Sequence, residues 1–339
     1  MGAGLARSGL GKRTALGTAT LLIGANLPDI DVLAYFDGPA ADLAFRRGWT
    51  HGVPALVVLP FLLTGLMLLF DRTVRRLGGA VLPSVVAPRQ VFLLAALSIL
   101  THPILDTLNT YGVRWLMPFR GDWFYSDTLF IVDPWLWLIL GAGVVLSRRR
   151  RRSRGYVHAA DPARPARIAL GVGLGYVVGM AALGGAARRI AARELGASGE
   201  RPERLMLAPR LATPLVRDVV AVQGANYRVG TFRWLARPHI EVASLRTVRR
   251  PRPDDPVLAA ARGTELGRRF LGWARFPVAL ADSRAGGGSV VHLIDLRYAD
   301  RPGVRFGAVT VPLVTPPASA PSPGTVAPGP PAGPAAPAR

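Results

Sequence analysis

The chain has no cysteine, which excludes disulfide staples and thiolate metal sites alike. It has one lysine, Lys12, so arginine supplies almost all of its positive charge. Alanine, glycine and proline are abundant, and together with the arginine bias they point to a GC-rich genome. The basicity is therefore weak evidence for nucleic-acid binding. No phosphate-binding loop, dinucleotide fingerprint or nucleophile elbow occurs, and no internal repeat, so the common nucleotide-binding and serine-hydrolase signatures give no lead.

What the chain does have is apolar length. Half of its 339 residues are hydrophobic, mean hydropathy is +0.28, and yet the formal charge is +21. Soluble domains of ordinary composition rarely combine these values; apolar spans separated by basic loops explain both. The densest basic run, Arg148 to Arg152 with Arg154, directly follows an apolar stretch, as a cytoplasmic flank of a span would. A nucleic-acid surface would instead cluster its charge on a folded face with polar readout residues. The expected partner is the lipid bilayer, with no nucleic acid.

Five segments approach the roughly 20 residues that a bilayer crossing needs: 14–36, 51–70, 90–108, 128–147 and 167–187. The expected fold is a membrane all-α bundle of about five transmembrane helices followed by a small α+β extracytoplasmic domain. Loop 71–89 carries Arg72, Arg75, Arg76 and Arg89 against Asp71, and loop 148–166 carries the arginine run. The intervening loops are balanced in charge. The positive-inside rule then puts the N-terminus and both basic loops in the cytoplasm and everything after residue 187 outside.

Charged and imidazole groups at the ends of apolar runs are costly and are usually functional. Asp29 and Asp31 close the first segment, His51 opens the second, His102 and Asp106 lie near the end of the third, and Asp127 and Asp133 open the fourth. The topology brings all of them to one outer face. Carboxylate oxygens and imidazole nitrogens together suit a divalent metal, zinc first, with manganese or iron as alternatives. Asp29 and Asp31, two apart in extended chain, would point to the same side; His102 and Asp106, four apart, share a helix face. Each group also has a plainer reading alone. Pro28-Asp29 suits a helix terminus, His51 could be an interfacial residue after Thr50, and His102 with Asp106 could form a structural hydrogen bond. Trp115, Trp123, Trp135 and Trp137 read as an interfacial aromatic belt.

The order Leu27-Pro28-Asp29-Ile30-Asp31, Arg47-Gly48-Trp49-Thr50-His51 and Thr101-His102-Pro103-Ile104-Leu105-Asp106 resembles the bacterial inner-membrane metal-dependent hydrolases. Their pattern runs LPDID, HRGxTHS, SHxxxD. Asn109-Thr110-Tyr111-Gly112 and Pro118-Phe119 fit the segment that follows, so the resemblance covers about residues 15–140. It implies a divalent-metal site of Asp29, Asp31, His51, His102 and Asp106, and a distant relationship to the zinc-dependent phospholipase C superfamily. Arg46 stands where the pattern has its first histidine, and Gly52 where it has serine. A further histidine usual near that family's N-terminus has no counterpart after Met1, and the expectation is that the reading frame continues upstream to encode one.

The expected domains are 1–187, the membrane-embedded hydrolase; 188–315, the α+β domain; and 316–339, a Pro/Ala-rich disordered tail. Strand-length runs fall at 216–222, 226–234, 238–245, 276–281, 289–298 and 304–312, with a helix from Pro256 to about Phe270. His292, Asp295 and Arg297 read as surface or satisfied polar residues. The expected activity is metal-dependent hydrolysis of an ester or phosphodiester at the outer membrane face, with a lipid or phosphoester as substrate. In it the metal acidifies water, Asp127 takes the proton and Arg47 holds an anionic substrate group. The alternatives are a transporter or ion pathway built on the buried acids and histidines, and a scaffold that presents the outer domain.

Overall fold

The computed structural model describes residues 1–77, 86–152, 161–197, 199, 201–283, 289–299 and 306–313. The expected tail, 316–339, lies outside these residues, as do parts of both basic loops.

The N-terminal part is helical. It runs α1 (Gly2–Arg7), α2 (Gly17–Gly24), a 3-10 segment (Leu27–Asp37), α3 (Pro39–Phe45), α4 (Val53–Arg76), α5 (Pro88–Thr107), α6 (Pro134–Arg152) and α7 (Arg164–Ala197). Among the described residues α4, α5 and α7 are long and apolar enough to cross a bilayer. The pair formed by α2 and the 3-10 segment passes the same test as one span bent by 41°. Three of the five expected spans, or four with the bent pair, meet this test; α6, the remaining one, does not meet it, because arginines follow its apolar stretch. Of the expected span 128–147, only the part from Pro134 is helical, and its apolar stretch ends at Ser147 before the arginines. It packs along α7: Gly143 meets Ala169, and Leu136 and Leu140 meet Gly173.

The C-terminal region is a set of antiparallel sheets. Strands β1 (Arg204–Arg210), β2 (Thr213–Gln223), β3 (Asn226–Arg233) and β4 (Arg246–Arg249) form one meander. After α8 (Pro256–Gly263) and α9 (Glu265–Trp273), strands β5 (Pro277–Ser283), β6 (Ser289–Asp295) and β7 (Ala308–Leu313) form a second. Because β-strand side chains alternate, Val219 and Ala221 of β2 face Ala187, Ala191 and Leu195 of α7. Val220 and Val222 face the opposite way, onto Phe276 and Leu296. Both faces of β2 are covered over its second half, in keeping with the continuous apolar run from Val219 to Val222.

Two of the expected elements differ. The run 238–245 forms a turn and a short 3-10 helix, because the backbone N–H groups of His239 and Ile240 donate to the Glu194 carboxylate of α7 at 3.1 and 2.8 Å. That leaves them no strand partner. The helix expected from Pro256 is two helices, divided at Thr264, whose hydroxyl caps α9 by accepting from the Gly267 N–H at 3.0 Å.

The two parts share a core. Tyr111, in the loop after α5, is buried with Phe270, Trp273 and Tyr298, and Leu43, Trp123 and Ile131 pack against that cluster. Trp123 thus belongs to this junction, beside Tyr111 at 5.6 Å between ring centroids, and not to a lipid-facing belt. Asp295 and Arg297 are not surface residues either. They form a fully buried ion pair at 2.8 Å, and Arg297 also donates to the carbonyls of Thr110 at 2.8 Å and Trp273 at 3.0 Å. Removing one member of a buried pair strands the other, which costs about 3–5 kcal/mol. Asp295→Ala is expected to lower the unfolding temperature of the purified protein well below that of an exposed control such as Glu265→Ala, as read by thermal melting in detergent.

Candidate metal centre

Four side chains converge at the end of the helical part that faces the C-terminal region. One ligand atom each from Asp29, His51, His102 and Asp106 lies within 4.8 Å of the others, and the group could hold a metal ion. The elements that deliver them are separate. Asp29 comes from the 3-10 segment, His51 from the turn entering α4, and His102 and Asp106 from the last turns of α5.

Each imidazole is held by its far nitrogen. His102 Nδ1 lies 2.7 Å from the Ala25 carbonyl, which can only accept, so Nδ1 carries the proton and Nε2 presents a lone pair. His51 Nδ1 lies 2.9 Å from the Thr50 hydroxyl and 3.3 Å from Asp31 Oδ2. That carboxylate also only accepts, and the same tautomer follows. The two rings stand 5.2 Å apart, with both Nε2 atoms turned toward Asp106 Oδ2 at 3.4 and 3.5 Å. His102 Nε2 is also 3.4 Å from Asp29 Oδ1.

His51 Nε2, His102 Nε2 and Asp106 Oδ2 are buried and make no hydrogen bond. Buried polar atoms without hydrogen-bond partners are unusual and costly. Ligand atoms placed tetrahedrally about 2.0–2.1 Å from an ion stand roughly 3.3–3.4 Å from one another, close to the three spacings just given. Fixing a histidine through its other nitrogen is the usual support for a metal ligand. The donors fit a divalent cation in type, spacing and orientation.

The structure separates the two aspartates of the LPDID run. A 3-10 helix turns about 120° per residue, so residues two apart diverge, unlike in extended chain. Asp29 faces the group. Asp31 sits behind His51, where Oδ2 accepts from the Arg47 backbone N–H at 2.7 Å and the Thr50 hydroxyl at 3.1 Å. It orients His51 and is not one of the four.

Arg47 is beside the group. Its Nε is 3.2 Å from Asp106 Oδ2, its Nη1 donates to Asn109 Oδ1 at 3.0 Å, and its guanidinium lies over the Tyr111 ring at 4.7 Å. Its backbone φ of 50° is left-handed, an unfavourable setting for arginine that the Asp31 bond holds. Asn109 and Tyr111 follow the last motif in sequence, and their role showed in nothing but that position. Gly52, where the related pattern has serine, is packed so that a Cβ would come within 2.8 Å of the Met117 carbonyl.

Asp127 is elsewhere. Its carboxylate, almost wholly buried, accepts from Arg275 Nη1 at 2.8 and 3.0 Å, with Arg188 at 3.9 Å. Both of its carboxylate oxygens are thus taken up by Arg275, and it is not among the four residues of the group. Asp133 caps α6, accepting from the Leu136 N–H at 3.0 Å, and accepts from the Tyr176 hydroxyl at 3.0 Å.

A cavity of about 630 Å³ opens onto the group. Asp29, Arg46, Arg47, His102 and Asp106 line its polar end; Met1, Ala3, Gly4, the segment from Leu129 to Asp133 and one side of α6 line much of the remainder.

Comparison with known proteins places this geometry in a family. The family described as YdjM inner membrane protein matches residues 1–186. The uncharacterized protein YfhP of Bacillus subtilis (strain 168) is 24% identical over 117 residues, 34% of this chain and 32% of that protein. The similarity thus spans about a third of that relative's length. No solved structure matches the chain significantly.

If the four residues hold one ion, His51→Ala, His102→Ala and Asp106→Ala each lose bound metal, as measured by elemental analysis of the purified protein. Asp31→Asn, which disturbs only the support of His51, is expected to weaken metal affinity by about 10–100-fold. Asp127→Asn leaves metal content unchanged. Full occupancy in all three alanine variants would rule out a shared site.

Proposed function

Because the chain belongs to the YdjM inner membrane protein family, we propose that it is a membrane-bound metal-dependent hydrolase of an ester or phosphodiester at the outer face of the bacterial inner membrane. The observation that carries this reading is the convergence of His51 Nε2, His102 Nε2 and Asp106 Oδ2, buried and without hydrogen bonds, at the end of a cavity. Two imidazoles with carboxylates favour zinc, with manganese or iron as the alternatives. At such a site a divalent cation supplies Lewis acidity, polarising a substrate oxygen and acidifying water.

The chain's own residues orient and bind. Ala25, Thr50 and Asp31 hold the two rings with Nε2 forward. Arg47, fixed between Asp106 and Asn109, offers a guanidinium to an anionic group such as a phosphate. Asp29, whose side chain is half exposed and lines the cavity, is the carboxylate placed to pass a proton to solvent. Arg72, Arg75 and Arg76 at the end of α4, and Arg148 to Arg152 at the end of α6, mark the cytoplasmic side under the positive-inside rule. The centre and the C-terminal region are then outside.

Two measurements test this. The metal-loaded protein is expected to hydrolyse a soluble aryl phosphodiester or ester, and chelation abolishes the activity. Arg47→Ala retains metal but raises KM for the anionic substrate about tenfold or more, the worth of one charge-assisted hydrogen bond. Loss of cation flux in proteoliposomes on mutating the same ligands, without any hydrolysis by the wild type, would favour an ion pathway instead. For orientation, the chain's lack of cysteine makes each introduced thiol unique. Leu235→Cys is expected to react with a membrane-impermeant reagent in intact cells, and Arg76→Cys to be shielded; the reverse pattern inverts the topology.

A further inference from the structure

The cavity beside the candidate centre is amphiphilic along its length. Arg46, Arg47, His102, Asp106 and Asp29 line one end, and Leu136, Trp137, Leu140, Gly141, Val144 and Val145 continue it along one side of α6. The nine residue steps of helix from 136 to 145 span roughly 13 Å at 1.5 Å per residue, longer than a soluble headgroup needs. This wall lies beside α7, one of the helices suited to cross the bilayer. Trp137 and Val145 remain exposed on it, at 71% and 47%. Helix α6 therefore turns one side to α7 through Leu136, Leu140 and Gly143 and leaves an apolar strip that runs from the charged end alongside that helix. Such a strip buries hydrocarbon at about 0.8 kcal/mol per methylene.

Resting on the hydrolase reading for the role of the polar end, we propose that this cavity binds one anionic membrane lipid, its phosphate at Arg46 and Arg47 and its hydrocarbon chain along α6 from Leu136 to Val145. Charge complementarity selects the occupant. Arg46 and Arg47, together with a divalent ion held by the proposed centre, outweigh the carboxylates of Asp29, Asp106 and Asp133 that line the same cavity, so that end calls for an anion, and the apolar trough beside α7 calls for a chain attached to it. The substrate class is then a phospholipid or another lipid phosphate entering sideways from the outer leaflet. Gly141 sits at mid-trough with nothing within 4 Å of where a Cβ would stand, which leaves room for a chain and for a side chain that would block it.

The test uses the full-length protein in vesicles that contain an anionic phospholipid with a photoactivatable group in its acyl chain. Crosslinks are expected to concentrate on residues 136–145, above the bulk-lipid level recorded at Phe61 on the exposed side of α4. Gly141→Phe, with metal content as its check on folding, is expected to lower α6 labelling about tenfold, the loss when two or so methylenes can no longer be buried, and to leave Phe61 labelling unchanged. Equal labelling of α6 and α4, or α6 labelling that Gly141→Phe does not reduce, overturns the proposal. So does labelling that matches for an uncharged lipid carrying the same probe. The hydrolase reading is judged separately, on the wild type with a soluble chainless phosphodiester. Lipid labelling that behaves as expected beside no hydrolysis upholds the binding site and removes the enzyme.

Discussion

Arg114 directs one guanidinium nitrogen to the carbonyls of Ala44 at 2.6 Å, Arg46 at 3.0 Å and Leu43 at 3.4 Å. These are the last carbonyls of α3 and its end, which a helix cannot satisfy internally. Arg297 does the same for the Trp273 carbonyl that ends α9, while reaching the Thr110 carbonyl beyond α5. Arg217, fully buried, donates to the carbonyls of Met180, Leu207 and Asp127, and burial pushes its pKa down to about 10. In a chain without cysteine, these guanidinium groups join segments far apart in sequence. Arginine suits this because it is planar, weakly hydrated and rich in donors. Part of the large positive charge that marks the sequence is thus internal and structural.

The candidate centre depends on these attachments. Tyr111 lies between the guanidinium of Arg47 and the ring of Trp273, 4.7 and 4.9 Å away. Asn109 binds Arg47 and takes the Tyr111 N–H at 2.8 Å. A displacement of the C-terminal region would move Tyr111, then Arg47, then the cation beside Asp106. The C-terminal region thus packs against the groups that set the electrostatics of the centre.

The identity of the cluster was legible in sequence because its chemistry is local. The carboxylates and imidazoles stand at the ends of apolar runs, where an idle charge is costly. His102 and Asp106 four apart had to share a face, and they do. The sorting of Asp29 from Asp31 was not legible, since it turns on whether five residues are extended or 3-10, and Pro28 permits both. The pairing of Asp127 was not legible for a different reason: its partner Arg275 is 148 positions away, and no local pattern announces such an ion pair. Of the expected spans, α6 is the one that falls short of a bilayer-crossing length, because its apolar stretch is shorter as helix than as sequence. In the C-terminal region β2 and β3 were plain from their β-branched runs. Strand β1 was missed, and 238–245 was taken for a strand because Glu194, which occupies its N–H groups, lies on another element.

The break between α2 and the 3-10 segment shows how the centre and the membrane constrain each other. Ending a helix inside a bilayer leaves carbonyls that lipid cannot satisfy, so breaks persist only where protein or a cavity supplies partners. Here the carbonyl of Ala25 is taken by His102 Nδ1 at 2.7 Å, and the 41° bend that follows carries Asp29 to within 3.4 Å of Nε2 on the same ring. Close approach is needed for this, and Gly24 provides it: a Cβ there would fall 2.1 Å from Ser98 Oγ on α5. One imidazole thereby satisfies the broken helix with one nitrogen and faces the cluster with the other. The tautomer that a metal ligand requires is the same tautomer that the broken helix requires, so the bend, the ring orientation and the ligand geometry form one arrangement.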